Sequence, residues 1–352
     1  MSDVGGFLFV GFGGTHLTPE TRAFLRAIRP GGIILFSRNI TGAEQVLELI
    51  ADLKSLYSPA PVLGIDEEGG RVSRLRPLSP TLPPAARLAE SGDPSLVREM
   101  AASLGEVLAA LGFDLDFAPV VDLCRATAPN GIADRSFGID PETTCAMAGA
   151  YLEGLREAGI AGCLKHFPGL GPTGRDSHQH LPRIDKPEAD FRRDDLLPFR
   201  RLQARAPAIM IGHGYYPFLA PHRPLPATLA RSVASDLLRG EVGFKGLALA
   251  DDLEMKAASS ALAYEELAPR AFIAGCDMLL VCSRRDAIEH CRHGLLESAE
   301  RGLIDEDRLR AAGRRLDALR SHLRPVASDP PCLERFESAR ADLISRLEAA
   351  TG

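Results

Sequence analysis

Short runs rich in Val, Ile, Leu and Phe recur eight times along the chain, at 7–12, 32–36, 62–66, 113–121, 162–166, 208–213, 247–251 and 277–282. Each is followed by a longer stretch whose apolar residues return at helical spacing, near 18–28, 43–56, 94–111, 141–158, 188–204, 230–242, 264–274 and 285–301. Continuous apolar strands belong to parallel sheets covered on both faces, and parallel neighbours need a crossover between them. Eight strands alternating with eight helices predict a closed (β/α)8 barrel, a TIM barrel, rather than an open doubly wound sheet. No Gly-x-Gly-x-x-Gly follows a strand, so a dinucleotide-binding sheet has no fingerprint here. Two further helices are predicted near 305–322 and 333–349, with Leu309, Leu316, Leu319 and Phe336, Leu343, Leu347 at helical spacing. The expected organisation is a single α/β barrel domain, 1–325, with a C-terminal helical extension, 326–352, packed on its outside.

The 352 residues suit one such barrel without a second domain. A net charge of −6, no Trp and only 6% aromatic residues argue against a nucleic-acid or anionic-membrane partner. Seven cysteines, an odd number with no Cys-x-x-Cys pair, read as buried free thiols rather than a disulfide framework or zinc site. The opening MSDVGGFLFVGFGG lacks the basic and long apolar segments of a signal peptide, and no run approaches membrane-spanning length. The expected location is the cytoplasm.

In a barrel of this kind the chemistry collects at the C-terminal ends of the strands and in the loops that follow. Strand three ends in Asp66, strand four leads to Asp122 and a loop holding Arg135, and strand five ends in Lys165-His166. Strand six ends in His213 and strand seven in Asp251-Asp252. One charged strand end is commonplace. Five converging on one rim need partners or a ligand, because a charge withdrawn from water is costly alone. From the residues alone, Asp251 could be a nucleophile, a ligand for sugar hydroxyls or the partner of an arginine.

The segments ILFSRN, GIDEEGGRVSRL, FAPVVDL, RSFG, KHFPGLG-x4-DSH, GH and ADDLEM stand in the order and spacing of family 3 glycoside hydrolases. Over roughly residues 5–300 the chain resembles the single-domain bacterial β-N-acetylglucosaminidases of peptidoglycan recycling. The resemblance implies that Asp251 is the nucleophile of a retaining mechanism and that His178, oriented by Asp176, is the acid/base. It implies that Asp66, Arg74, Arg135, Lys165 and His166 bind the non-reducing sugar. A histidine titrates near neutrality, so it can protonate a leaving oxygen and then accept a proton from water. Carboxylates and guanidinium forks match vicinal hydroxyls. No cofactor is expected.

Three residues depart from the family pattern: Glu67 stands where Gln is usual, Leu170 where a His is often found, and Ala250 where Ser or Thr precedes the nucleophile. The first two are expected beside the site, where they would alter substrate preference. Asp176, His178 and His180 have a spacing that could ligate a metal. The His-x-His falls in a long loop rather than on a strand end, however, and the carboxylate-rich rim is explained without one. The expected substrate is terminal β-linked N-acetylglucosamine on a muropeptide such as GlcNAc–anhydroMurNAc. A β-glucosidase or β-xylosidase, or a phosphorylase of the same family, is the alternative.

Overall fold

The computed structural model of the chain describes residues 4–125, 131–171, 181–259, 262–323 and 331–351. Eight parallel strands close a barrel in chain order: β1 (Leu8–Val10), β2 (Gly32–Leu35), β3 (Val62–Ile65), β4 (Leu115–Asp116), β5 (Ala161–Phe167), β6 (Ala208–Ile211), β7 (Leu247–Ala250) and β8 (Met278–Val281). Closure is made by β1 against β8, with Phe9 opposite Leu280. The (β/α)8 barrel expected from the sequence is the fold observed.

Successive strand residues point to opposite faces. One set, including Phe9, Ile34, Leu115, Cys163, Met210 and Leu280, fills the barrel interior as its own buried cluster. The alternate set, including Leu8, Val10, Ile33, Leu63 and Ile209, faces the helices. The interior accommodates two phenylalanines, Phe9 and Phe117, with centroids 5.2 Å apart and rings at 71°. Gly32 and Gly64 make that possible: a Cβ at Gly32 would lie 2.3 Å from the Phe9 ring, and one at Gly64 2.8 Å from both rings.

Helix starts follow the chain chemistry. Thr18, Asp93 and Asp140 each cap the next turn, accepting from Thr21 N, Ser95 N and Thr143 N, and each precedes a proline at the first helical position. At the N-terminal end of the barrel strands, the fully buried Asp277 enters β8. It accepts from Arg239, Arg308 and Arg315 at 2.6, 2.9 and 2.9 Å. Those arginines come from the segment before β7 and from the helix Glu306–His322, so one carboxylate ties that outer helix to the barrel floor.

Four local expectations change. The strand expected at 113–121 shortens to β4, because Pro119 has no N–H to give the ladder; pairing resumes only as a bridge of Val120 with Lys165. The helix expected at 188–204 is two short ones, Glu188–Arg193 and Leu197–Leu202, with Pro198 opening the second. The segment expected as a helix at 230–242 is wound as a π-helix, Ser232–Glu241. A short helix, Ala85–Glu90, has no counterpart in the sequence reading.

The helix Leu333–Thr351 packs on Pro94–Leu111 through the buried Phe336 and Leu343, and Ser103 Oγ donates to Asp342 at 2.7 Å. The expected boundary near 325 lies outside the described residues. Six of the seven cysteines are buried free thiols and Cys332 is exposed. Among the described residues no helix is long and apolar enough to cross a membrane.

Candidate active site

A cleft of about 410 Å³ opens at the C-terminal end of the barrel. Asp66, Arg74, Arg135, Lys165, His166 and Asp251 all line it, so six of the eight site residues expected from the sequence come together. The other two, Asp176 and His178, lie outside the described residues, as does His180. Among the described residues no cluster of three or more His, Cys, Asp or Glu side chains could hold a metal.

Lys165 is the centre of the polar wall. Its ammonium, carried near the C-terminal end of β5 and almost fully buried, sits 2.9 Å from Asp66 Oδ1 and 2.5 Å from Glu68 Oε1. Arg135 forks onto Glu68 with Nε–Oε2 at 2.7 Å and Nη2–Oε1 at 2.8 Å. Burial works against the charge on Glu68, but Arg135 and Lys165 outweigh it and hold the carboxyl well below the usual range. Burial likewise opposes the charge on Lys165, and Asp66 and Glu68 raise it above the ordinary lysine value. Glu68, Lys165 and Arg135 are thus fixed as ions across the neutral range.

Glu68 escaped the sequence reading, because a Glu-Glu pair before two glycines reads as a solvated turn. Its signal is the i, i+2 spacing from Asp66, which puts both side chains on one face of an extended segment. Glycine lets that segment turn at once: Gly69 and Gly70 have φ of 90° and 53°.

Arg74 lies on the returning arm. Its Nη2 is 3.4 Å from Asp66 Oδ2, its guanidinium stacks near the Phe36 ring, and its buried Nε has no partner among the described residues. Glu67 does not line the cleft. Its side chain turns inward and Oε2 accepts the N–H groups of Arg74 and Leu75 at 2.7 and 3.0 Å. Glu67 therefore stands behind the arm that carries Arg74 rather than among the cleft's lining residues. Leu170 does line the cleft, packed with Val120, Cys124 and Ile132.

Across the cleft Asp251 and Asp252 follow β7. Loss of solvent works against the charge on Asp251, but His166, His213, the Asp252 amide and Lys165 together hold its carboxyl below the usual range. The Asp252 N–H donates to Asp251 Oδ1 at 2.8 Å. Asp252 itself turns away and its Oδ1 accepts from Glu254 N and Cys282 N at 3.1 and 3.3 Å. Desolvation, with Glu254 and Asp251 adding negative charge nearby, pushes the Asp252 carboxyl up to about 7. Two adjacent aspartates thus titrate far apart, Asp252 giving up its proton only around neutrality, the usual outcome when like charges crowd one site.

His213, given no firm role by the sequence, is fully buried. Its Nε2 lies 3.0 Å from the Asp252 carbonyl, which can only accept, so Nε2 carries the proton; Nδ1 meets the Thr228 hydroxyl at 2.9 Å. Burial pushes this ring's pKa down, and the ring props the peptide between the two aspartates. His166 is held from behind: Asp122 Oδ2 lies 2.7 Å from its Nδ1.

An ionised carboxylate faces a wall of fixed carboxylates, ammonium and guanidinium groups on a barrel rim. Such a site can attack an electrophilic carbon while its hydroxyl-bearing surroundings are held by paired hydrogen bonds. The comparisons with known proteins agree with that class. Residues 4–319 match the family model described as the glycosyl hydrolase family 3 N terminal domain, and the chain belongs to this family.

A β-hexosaminidase of Alkalilimnicola ehrlichii is 39% identical over 80% of this chain and 82% of its own. NagZ of Neisseria gonorrhoeae, solved with N-trifluoroacetyl-D-glucosamine, superposes with a TM-score of 0.80 at 31% identity over 97% of both chains. A fungal multi-domain GH3 β-N-acetylglucosaminidase superposes at 0.91 with 28% identity, covering 98% of this chain and 42% of that longer one.

Proposed function

We propose that this protein is a retaining exo-β-N-acetylglucosaminidase that releases terminal non-reducing β-linked GlcNAc from muropeptides such as GlcNAc–anhydroMurNAc in the cytoplasm. The observation that carries the reading is the ionised Asp251 facing the Asp66–Lys165–Glu68–Arg135 network. The names of the hexosaminidase relatives and the glucosamine derivative in the NagZ structure support the choice of sugar.

In this reading Asp251 attacks the anomeric carbon as the bond to the leaving oxygen breaks, and His178 gives that oxygen its proton. The product is a glycosyl ester of Asp251. Water then attacks the same carbon, His178 takes the water's proton, and the Asp251 carboxylate leaves. Asp176 orients the His178 ring. Asp66, Lys165, His166, Arg74 and Arg135 hold the sugar hydroxyls, and Arg74 Nε, without a partner among the described residues, is one donor a sugar would satisfy.

The test is release of chromophore from an aryl β-N-acetylglucosaminide beside the matching β-glucoside, with and without a chelator and with and without phosphate. Turnover of the acetamido sugar alone is expected, unchanged by chelator and giving free GlcNAc rather than a sugar phosphate. Asp251→Asn should lower kcat at least ~1,000-fold, and His178→Ala should slow the substrate with the poorest leaving group most. Activity on the glucoside alone would overturn the substrate, and a sugar phosphate product would replace hydrolysis by phosphorolysis.

A further inference from the structure

Asp122 is fully buried and is not among the cleft's lining residues, yet both its carboxylate oxygens meet the segment that brings His166 and Leu170 to the cleft. Oδ2 receives the main-chain N–H of His166 at 3.2 Å and faces its Nδ1 at 2.7 Å, and Oδ1 receives the Leu170 N–H at 2.6 Å. The Asp122 carbonyl accepts from Ser136 Oγ at 2.6 Å, next to Arg135. One side chain therefore joins the segment after β4 to the end of β5 and to the turn beyond it.

Resting on the hydrolase reading above, we propose that Asp122 is a positioning residue of the reaction. It fixes the His166 ring with its proton on Nδ1 and Nε2 toward the cleft, and through that ring it sets the charge environment in which Asp251 reacts. Both Asp122 oxygens already accept main-chain N–H groups, so the third contact is Nδ1–H donating to a carboxylate. Of the groups around Asp251, His166 does most to hold its carboxyl below the usual range.

The groups facing this unit come from several elements. His166 faces Asp122 from the β4 side, His213 beyond β6 and Asp251 beyond β7. Asp122 faces Arg135, and the buried Asp195 and Tyr216 from beyond β5 and β6. Without Asp122 the ring is no longer held in place near Asp251, which loses its best electrostatic support, so the Asp251 carboxyl titrates higher.

Asp122→Asn preserves volume but replaces one acceptor oxygen by an NH2 group that must face a donor. We expect kcat/KM on the aryl β-N-acetylglucosaminide to fall about 10- to 100-fold. The acidic limb of its pH profile should move up by about half to one pH unit. A loss of activity with an unshifted acidic limb would make Asp122 merely structural and overturn the proposal.

A second measurement needs neither the variant nor activity. Imidazole 15N spectra of the unaltered protein, with the His166 signals identified by their loss in His166→Gln, should show the ring proton on Nδ1. A proton on Nε2 alone would overturn the proposal. Should the protein cleave no β-linked acetamido sugar, the proposed function fails, while the spectrum still decides the role of Asp122.

Discussion

Asp251 and Asp252 are chain neighbours in opposite electrostatic surroundings. Asp251 meets two imidazoles and Lys165, whereas Asp252 meets Glu254 and its own neighbour. The consequence for stability has a definite sign. A carboxyl raised to about 7 in the folded chain holds its proton more tightly there than when unfolded. Its contribution is full below about pH 4 and is lost as pH rises through about 7. Asp252→Asn keeps the oxygen that accepts from Glu254 and Cys282 but cannot ionise. Urea unfolding at pH 5 and pH 8 should show the variant losing less stability between the two than the unaltered protein, by on the order of 1 kcal/mol. Parallel profiles would mean that Asp252 is already ionised at pH 5.

At the scale of elements, the strands are continuous apolar runs and were legible for that reason, and the helices for their 3.6-residue period. What the pattern does not carry is how side chains share the barrel interior. Gly32 on β2 looks like an ordinary strand glycine, yet its missing Cβ is the space the Phe9 ring occupies. Gly32→Ala should lower stability by roughly 1–3 kcal/mol, the usual cost of overpacking. Adding Phe9→Leu should restore part of the loss, because the two changes share one volume. Additive losses in denaturant unfolding would show that the contact does not govern the packing. Pro119 and Pro198 were equally visible in the sequence. Their effects on β4 and on the expected helix 188–204 follow from a missing N–H, which the apolar period alone overrode in the reading.

For the whole molecule, the two ends of the barrel divide the labour. The catalytic rim keeps unlike charges in near balance around a cleft, while the floor gathers three guanidinium groups on Asp277. Removing that carboxylate leaves buried positive charge uncompensated, so Asp277→Asn should cost about 3 kcal/mol or more. Since Asp277 stands at the far end of β8 from the cleft, kcat and KM per folded molecule should not move. A kinetic change at unaltered stability would show that the floor communicates with the rim instead of holding it up.

The amino-acid sequence determined the number and order of the barrel elements and the rim on which Asp66, Lys165, His166 and Asp251 meet. Periodicity and strand-end position are local properties, readable without knowing what lies across the barrel. It also supplied the motif that puts Asp176 and His178 forward for the acid/base role. Only the tertiary structure decided that Lys165 bridges Asp66 and Glu68, that Glu67 turns inward beneath Arg74, and that Asp122 stands behind His166. The same holds for the opposite shifts of Asp251 and Asp252. Desolvation and Coulomb energy depend on distances between residues far apart in the chain, and those distances exist only once the barrel has closed.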